Sequence, residues 1–125
     1  MYSLSLQRDF IASHYLVGGD WGPENDPHAH SYRVEICLSA AQLDHHGYII
    51  DLEVLERIID ACVDAYRDRL LNDLPEFDKI NPSIEHFCRR FFERFTTALG
   101  PNRLNRVAIR IWENELAWAA YEESF

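Results

Sequence analysis

Three histidines carry the most suggestive chemistry in this chain. His28 and His30 stand two apart where polar and apolar residues alternate, so on a β-strand both imidazoles project from one face. His14 closes an earlier alternating segment and, on an antiparallel neighbour, arrives beside them. Three neutral imidazoles around an open fourth position form a catalytic zinc arrangement, because the metal keeps a site for water or substrate. A His-x-His pair on a strand also arises by chance or as surface histidines, and spacing alone leaves both readings open.

The elements that must position these residues follow from periodicity. Leu4 and Leu6, then Phe10, Ala12 and His14, keep a period of two; so do His30, Tyr32, Val34, Ile36 and Leu38. These predict antiparallel strands over 2–14 and 29–39. Between them GGDWGPENDP (18–27) is too rich in Gly, Pro, Asn and Asp to be anything but a loop, and such loops often carry function. His45-His46-Gly47 reads as a turn into a short strand over 47–51. Asp51 caps a predicted helix with Leu55, Ile58, Ile59, Cys62, Val63 and Tyr66 on one face. A second helix is expected from Asn81-Pro82, with Asn81 as cap, carrying Ile84, Phe87, Cys88, Phe91, Phe92, Phe95 and Leu99, and stopping at Gly100-Pro101.

Val107, Ile109 and Ile111 then alternate with Ala108, Arg110 and Trp112, and a last strand runs from Leu116 to about Glu122. The order β-β-α-α-β-β gives an α+β fold, a four-stranded antiparallel sheet with both helices on one face. The other face also reads as rich in aromatics and aliphatics, which predicts burial by self-association and protection of the edge strands.

At 125 residues and 47% hydrophobic content the chain can bury one core, so one domain over 1–125 is expected. No stretch of about 18 apolar residues and no basic-then-apolar leader is present, which predicts a cytoplasmic protein without a membrane partner. The net charge of −9 works against nucleic acid and anionic lipid. Eleven of the twelve basic residues are arginine, suited to a local anion pocket or to ion pairs between subunits. Cys37, Cys62 and Cys88 are odd in number and far apart, which argues against disulfides and thiolate zinc and for buried thiols.

Several short motifs stand in one order: Phe10-x-Ala12-x-His14, His28-Ala29-His30-Ser31-Tyr32, Gly47-Tyr48-Ile49-Ile50-Asp51-Leu52, Leu71-Asn72-Asp73, Asn81-Pro82-Ser83-x-Glu85, and Glu113 followed by Ala119-Ala120-Tyr121. The series, spanning nearly the whole chain, resembles the 6-pyruvoyl-tetrahydropterin synthase and 6-carboxytetrahydropterin synthase family. That resemblance implies the tunnelling fold, in which such subunits assemble into a barrel, usually a hexamer of two stacked trimers. It also implies Zn²⁺ on His14, His28 and His30, and places Glu113 at the glutamate that anchors the pterin ring. A carboxylate can take two parallel hydrogen bonds from the 2-amino group and ring N–H of a pterin. Read without the resemblance, Glu113 is an ordinary solvated glutamate at a strand end.

The pattern departs from the family where its enzymes move protons. Glu24 stands where the family has a catalytic cysteine, four residues before His28, and Arg67-Asp68 stand where it has an Asp-His pair. One branch of the family with glutamate in the cysteine's place cleaves dihydroneopterin triphosphate to 6-hydroxymethyl-dihydropterin, which makes Glu24 the candidate catalytic base. Read alone, Glu24 is a solvated loop acid. Asp68 and His86 are the residues that could stand in for the missing pair. Three functions follow: a zinc-dependent pterin lyase, a non-catalytic pterin- or purine-binding homo-oligomer descended from such enzymes, or a structural oligomer with a vestigial metal site.

Overall fold

The computed structural model describes residues 1–125. Strands β1 (Tyr2–His14) and β2 (His28–Ala40) form a long antiparallel hairpin; helices α1 (Leu52–Asp64) and α2 (Ile84–Leu99) follow, then β3 (Arg106–Trp112) and β4 (Trp118–Ser124). The strands lie side by side in chain order, all antiparallel. The expected β-β-α-α-β-β arrangement is therefore the one present, with α1 packed on β1 and on α2, and α2 packed on β3 and β4.

Alternation decides which side chains meet the helices. Phe10 and Ala12, then Tyr32, Val34, Ile36 and Leu38, then Val107, Ile109 and Ile111 are buried, and they close on Leu55, Ile59 and Val63 of α1 and Phe87, Phe91 and Phe95 of α2. Burying this much apolar side chain is the main favourable term for the fold. Asp51 caps α1 as expected, its carboxylate accepting from the Glu53 amide at 2.9 Å. Gly100 ends α2 with φ at +70°, a conformation that costs a residue with a Cβ.

Four expectations need correction. Residues 47–51 are not a strand: Asp44 satisfies this turn locally, its carboxylate accepting from the His46 and Tyr48 amides at 2.9 and 3.0 Å, so no ladder forms. The cap of α2 is Ser83, whose hydroxyl accepts from the His86 amide at 3.2 Å, because the Asn81 side chain is used elsewhere. The last strand begins at Trp118, since Asn114 Oδ1 accepts from the Leu116 and Ala117 amides and holds them in a turn.

The outer face of the sheet is also not the apolar surface expected. Ser3, Ser5, Gln7, Asp9, Ser31, Arg33, Glu35, Arg106, Arg110 and Glu122 line it, with Arg33 on Asp9, Arg110 on Glu35 and Arg106 on Glu122 as ion pairs. Trp112 and Trp118 are its large aromatic side chains, and the Arg110 guanidinium lies over both rings. No helix is long and apolar enough to cross a membrane.

Candidate metal centre

The end of β1 and the start of β2 lie side by side, and their register sets His14 opposite His28 and Ala12 opposite His30. All three histidines share the parity of the buried positions, so their rings converge on the helix-facing side. Ring centroids are 4.6, 5.0 and 4.9 Å apart, and one nitrogen from each ring lies within 4.8 Å of the others.

Backbone carbonyls fix which nitrogen that is. His14 Nδ1 sits 2.8 Å from the Pro82 carbonyl and His28 Nδ1 2.8 Å from the Asp26 carbonyl. A carbonyl only accepts, so each Nδ1 carries the proton and each Nε2 presents a lone pair. The Nε2 atoms of His14, His28 and His30 are all buried without a hydrogen-bond partner. Leaving one buried polar atom unpaired is costly, and three converging lone pairs are the donor set of a metal ion. The carbonyls holding Nδ1 are the outer shell that orients such ligands.

Electrostatics agree with ligation. Burial pushes the His14 pKa down; the Pro82 carbonyl opposes this, the neighbouring His28 and His30 add to it, and Glu113 opposes it, with a net lowering. A ring that stays neutral competes less with protons for its own lone pair. The pKa of neighbouring Tyr32 is instead pushed upward by burial and by Glu113, so its hydroxyl stays protonated.

Glu113 follows directly on β3. Its Oε1 lies 3.1 Å from His30 Nε2 and 3.5 Å from His14 Nε2, and neither contact is directed as a hydrogen bond. Glu24 sits in a 3₁₀ turn, Gly22–Asn25, of the β1–β2 loop. Its backbone carbonyl accepts from the Leu16 amide at 2.9 Å, whereas its side chain is exposed and has no hydrogen bond or ion pair. The three other residues of the altered proton relay also stand apart from the triad. Asp68 is exposed in the left-handed region at φ +58°, its amide donating to the Ile11 carbonyl; Arg67 pairs with Asp64; and His86 Nδ1 bonds the Asn81 carbonyl at 2.6 Å.

Three asparagines organise the loop that joins the histidines. Asn72 accepts from the Tyr15 amide and donates to the Tyr15 carbonyl, both at 2.9 Å; Asn81 accepts from the Val17 amide at 2.9 Å; Asn25 donates to the Leu16 and Gly19 carbonyls. By local pattern Asn72 belongs to a motif and Asn81 caps a helix. A local pattern cannot reveal that these side chains bond backbone more than fifty residues away.

The model of one protein family, 6-pyruvoyl tetrahydropterin synthase, matches residues 3–124. The chain belongs to this family. It is 29% identical to 6-carboxy-5,6,7,8-tetrahydropterin synthase of Bacillus subtilis over 96% of this chain and 86% of that protein. Among solved structures it resembles 6-pyruvoyl tetrahydropterin synthase of Caenorhabditis elegans, with a TM-score of 0.81, 24% identity and 99% and 98% of the two chains covered. It also resembles the Plasmodium vivax enzyme, solved as a variant with a catalytic glutamate replaced by alanine, at TM-score 0.71, 15% identity and the same coverage. These likenesses make this a tetrahydropterin-synthase fold, and the chain's own geometry gives it a three-histidine site that could hold a metal.

Proposed function

We propose that this chain is a zinc-dependent pterin lyase acting on dihydroneopterin triphosphate or a close relative. The observation that carries the reading is the set of three orphaned Nε2 atoms, each buried, on a fold shared with tetrahydropterin synthases. Zn²⁺ held by His14, His28 and His30 would supply Lewis-acid polarisation of oxygens on the pterin side chain. The Pro82 and Asp26 carbonyls keep His14 and His28 in the tautomer that binds a metal. Glu113 takes the ring through its 2-amino and N–H groups, which fixes the side chain toward the histidines.

Glu24 is the proposed base, moving a proton between its carboxylate and a side-chain hydroxyl of the substrate. Its support is positional: the turn that carries it is tied to Leu16 and runs directly into His28, and the Plasmodium vivax relative has a catalytic glutamate. A non-catalytic pterin- or purine-binding role is the second reading. What favours it is the exposed, unpartnered Glu24 carboxylate together with Arg67 and Asp68 in place of an Asp-His pair. Incubating purified protein with dihydroneopterin triphosphate and resolving the pterins by chromatography separates the two. A lyase gives 6-pyruvoyl, 6-carboxy or 6-hydroxymethyl products; pterin binding without turnover leaves the binder.

We also propose that the chain works as a homo-oligomer, a hexamer of two trimers. The outer face of the sheet is too polar to require covering, but the sheet edges are open. β4 ends one side of the sheet with open backbone groups, and β1 ends the other, covered by residues 68–70 only near Ile11 and Ser13. Unpaired edges at both ends suit head-to-tail closure into a ring. Light scattering that reports a monomer at micromolar concentration would refute it. The free thiols of Cys37, Cys62 and Cys88 suit a reducing cytoplasm, and neither nucleic acid nor membrane is a proposed partner.

A further inference from the structure

Glu113 is asked to do one thing by its place in the chain and does another in the structure. As the ring anchor its two oxygens should face a pterin, yet one of them faces the imidazoles. In a tetrahedral site with metal–ligand bonds of about 2.0–2.1 Å, neighbouring ligand atoms lie about 3.3–3.4 Å apart. The 3.1 and 3.5 Å from Oε1 to His30 and His14 bracket that spacing at two of the three rings, while the ligand atoms that already close on one another are those of the histidines alone. The carboxylate has no other partner to hold it, since no amide, hydroxyl or guanidinium donates to it. It also lies beyond the last ladder pair of β3, ahead of the Asn114 turn, where the backbone is free of the sheet. The same residue borders a groove of about 530 Å³ on the outer face of the sheet, lined by Asp9, Ser31, Arg33, Trp112, Asn114 and Glu115, so it stands at the strand end between that groove and the histidines on the other face.

We infer that Glu113 is shared between metal and pterin: it occupies the coordination position beside His14 and His30 when the site holds no pterin, and gives it up to take the ring. This deepens the proposed lyase reading and rests on it for the metal and the ligand class. A carboxylate whose two oxygens both accept from the 2-amino group and ring N–H has no oxygen left for the cation. Ring binding therefore frees the position that the substrate's side-chain oxygens need, and the site stays closed to other ligands until a pterin arrives. By linkage, a residue that must leave the metal to bind the ring makes each ligand oppose the other. Unsubstituted pterin, which has no side chain to reach the metal, should then bind metal-free protein several-fold tighter than loaded protein.

The test uses the intact chain loaded with Co²⁺, whose visible absorption reports the ligand set, and Zn²⁺ affinity from chelator competition. In the wild type, adding unsubstituted pterin should change the Co²⁺ spectrum. Glu113→Gln should bind Zn²⁺ about 10- to 100-fold more weakly, as loss of a group contacting the site predicts, and its spectrum should no longer respond to pterin. A wild type that binds metal on its histidines and shows no pterin-induced spectral change overturns the sharing, whether or not the variant folds. So does a Glu113→Gln protein equal to wild type in Zn²⁺ affinity and spectrum. A wild type that binds neither Zn²⁺ nor Co²⁺ overturns the metal reading itself, and the sharing with it.

Discussion

The chain has two groups of histidines, and the more crowded one is not the candidate metal site. His45 and His46 have ring centroids only 3.8 Å apart, closer than any pair among His14, His28 and His30. Both are exposed, neither ring nitrogen is hydrogen-bonded, and the turn that carries them is organised by the Asp44 carboxylate instead. In the triad, two rings are held at Nδ1 by backbone carbonyls and all three Nε2 atoms are buried and bare. Histidine density is therefore a poor guide. What distinguishes a ligand is a fixed tautomer and a lone pair with nothing else to meet.

The sharpest way to break this comparison is to remove one ring from each group. His28→Ala should take bound zinc from about one per chain to near zero and abolish any lyase activity, because a site left with two imidazoles lacks the ligands a zinc centre needs. His46→Ala should leave zinc content unchanged. Elemental analysis of both proteins decides it, and equal zinc in the two would put the metal elsewhere.

Next in size is Glu24. If the lyase reading holds, Glu24→Gln should lower turnover of dihydroneopterin triphosphate by about 10²–10⁴, the usual contribution of a positioned base. Retained turnover would make Glu24 the loop acid its exposure suggests. Neither of the two buried thiols can take its place. Burial pushes Cys62 up to about 11 and Cys88 up to about 12, so neither forms a thiolate at neutral pH, and iodoacetamide at pH 8 should modify both slowly in the native protein. The same shifts set a pH limit. Folded chains keep these two protons while unfolded chains lose them above about pH 9, so their contribution to stability falls as pH rises from about 9 to 12. A denaturant midpoint that rises across that window would contradict the burial of both thiols.

Glu113 comes third. Removing a carboxylate that accepts two charge-assisted hydrogen bonds should weaken pterin binding on the order of 30- to 1000-fold. Fluorescence titration with biopterin against wild type and Glu113→Gln reads this directly, and equal affinities would reject the ring-anchor role.

How much of this was legible depends on the range of the interaction that makes it. The two strands and their shared histidine face could be read from a period of two, and the Asp51 cap and Gly100 stop from chemistry within a turn. The run over 47–51 looked like a strand because its residues suit one, but Asp44 had already claimed the local amides. The outer face reads as apolar from sequence because Trp112 and Trp118 stand out there, while the serines and ion-paired arginines beside them do not. Pro82 reaching His14, and Glu113 reaching His14 and His30, depend on side chains meeting across the fold, which no local pattern records.

The smallest effect tests whether tethering, rather than proximity, makes the triad. Asn81 touches none of the three histidines of the triad; its side chain accepts from the Val17 amide, while the next residue, Pro82, gives its carbonyl to His14 Nδ1. Asn72 holds the same stretch through both backbone groups of Tyr15. Loosening either tether leaves every candidate ligand present but lets His14 turn and its Nδ1 exchange the Pro82 carbonyl for water. Groups that bond a ligand directly are worth about 10- to 100-fold in metal affinity, and one step further out the loss should be less than about 10-fold. Asn81→Ala and Asn72→Ala should therefore keep about one zinc per chain at saturation and lose it several-fold more readily to a chelator. Truncating Asp44, which organises the other histidine group, should change nothing in the same assay. If all three variants match wild type, three converging rings suffice by themselves, and the contrast with His45 and His46 reduces to burial.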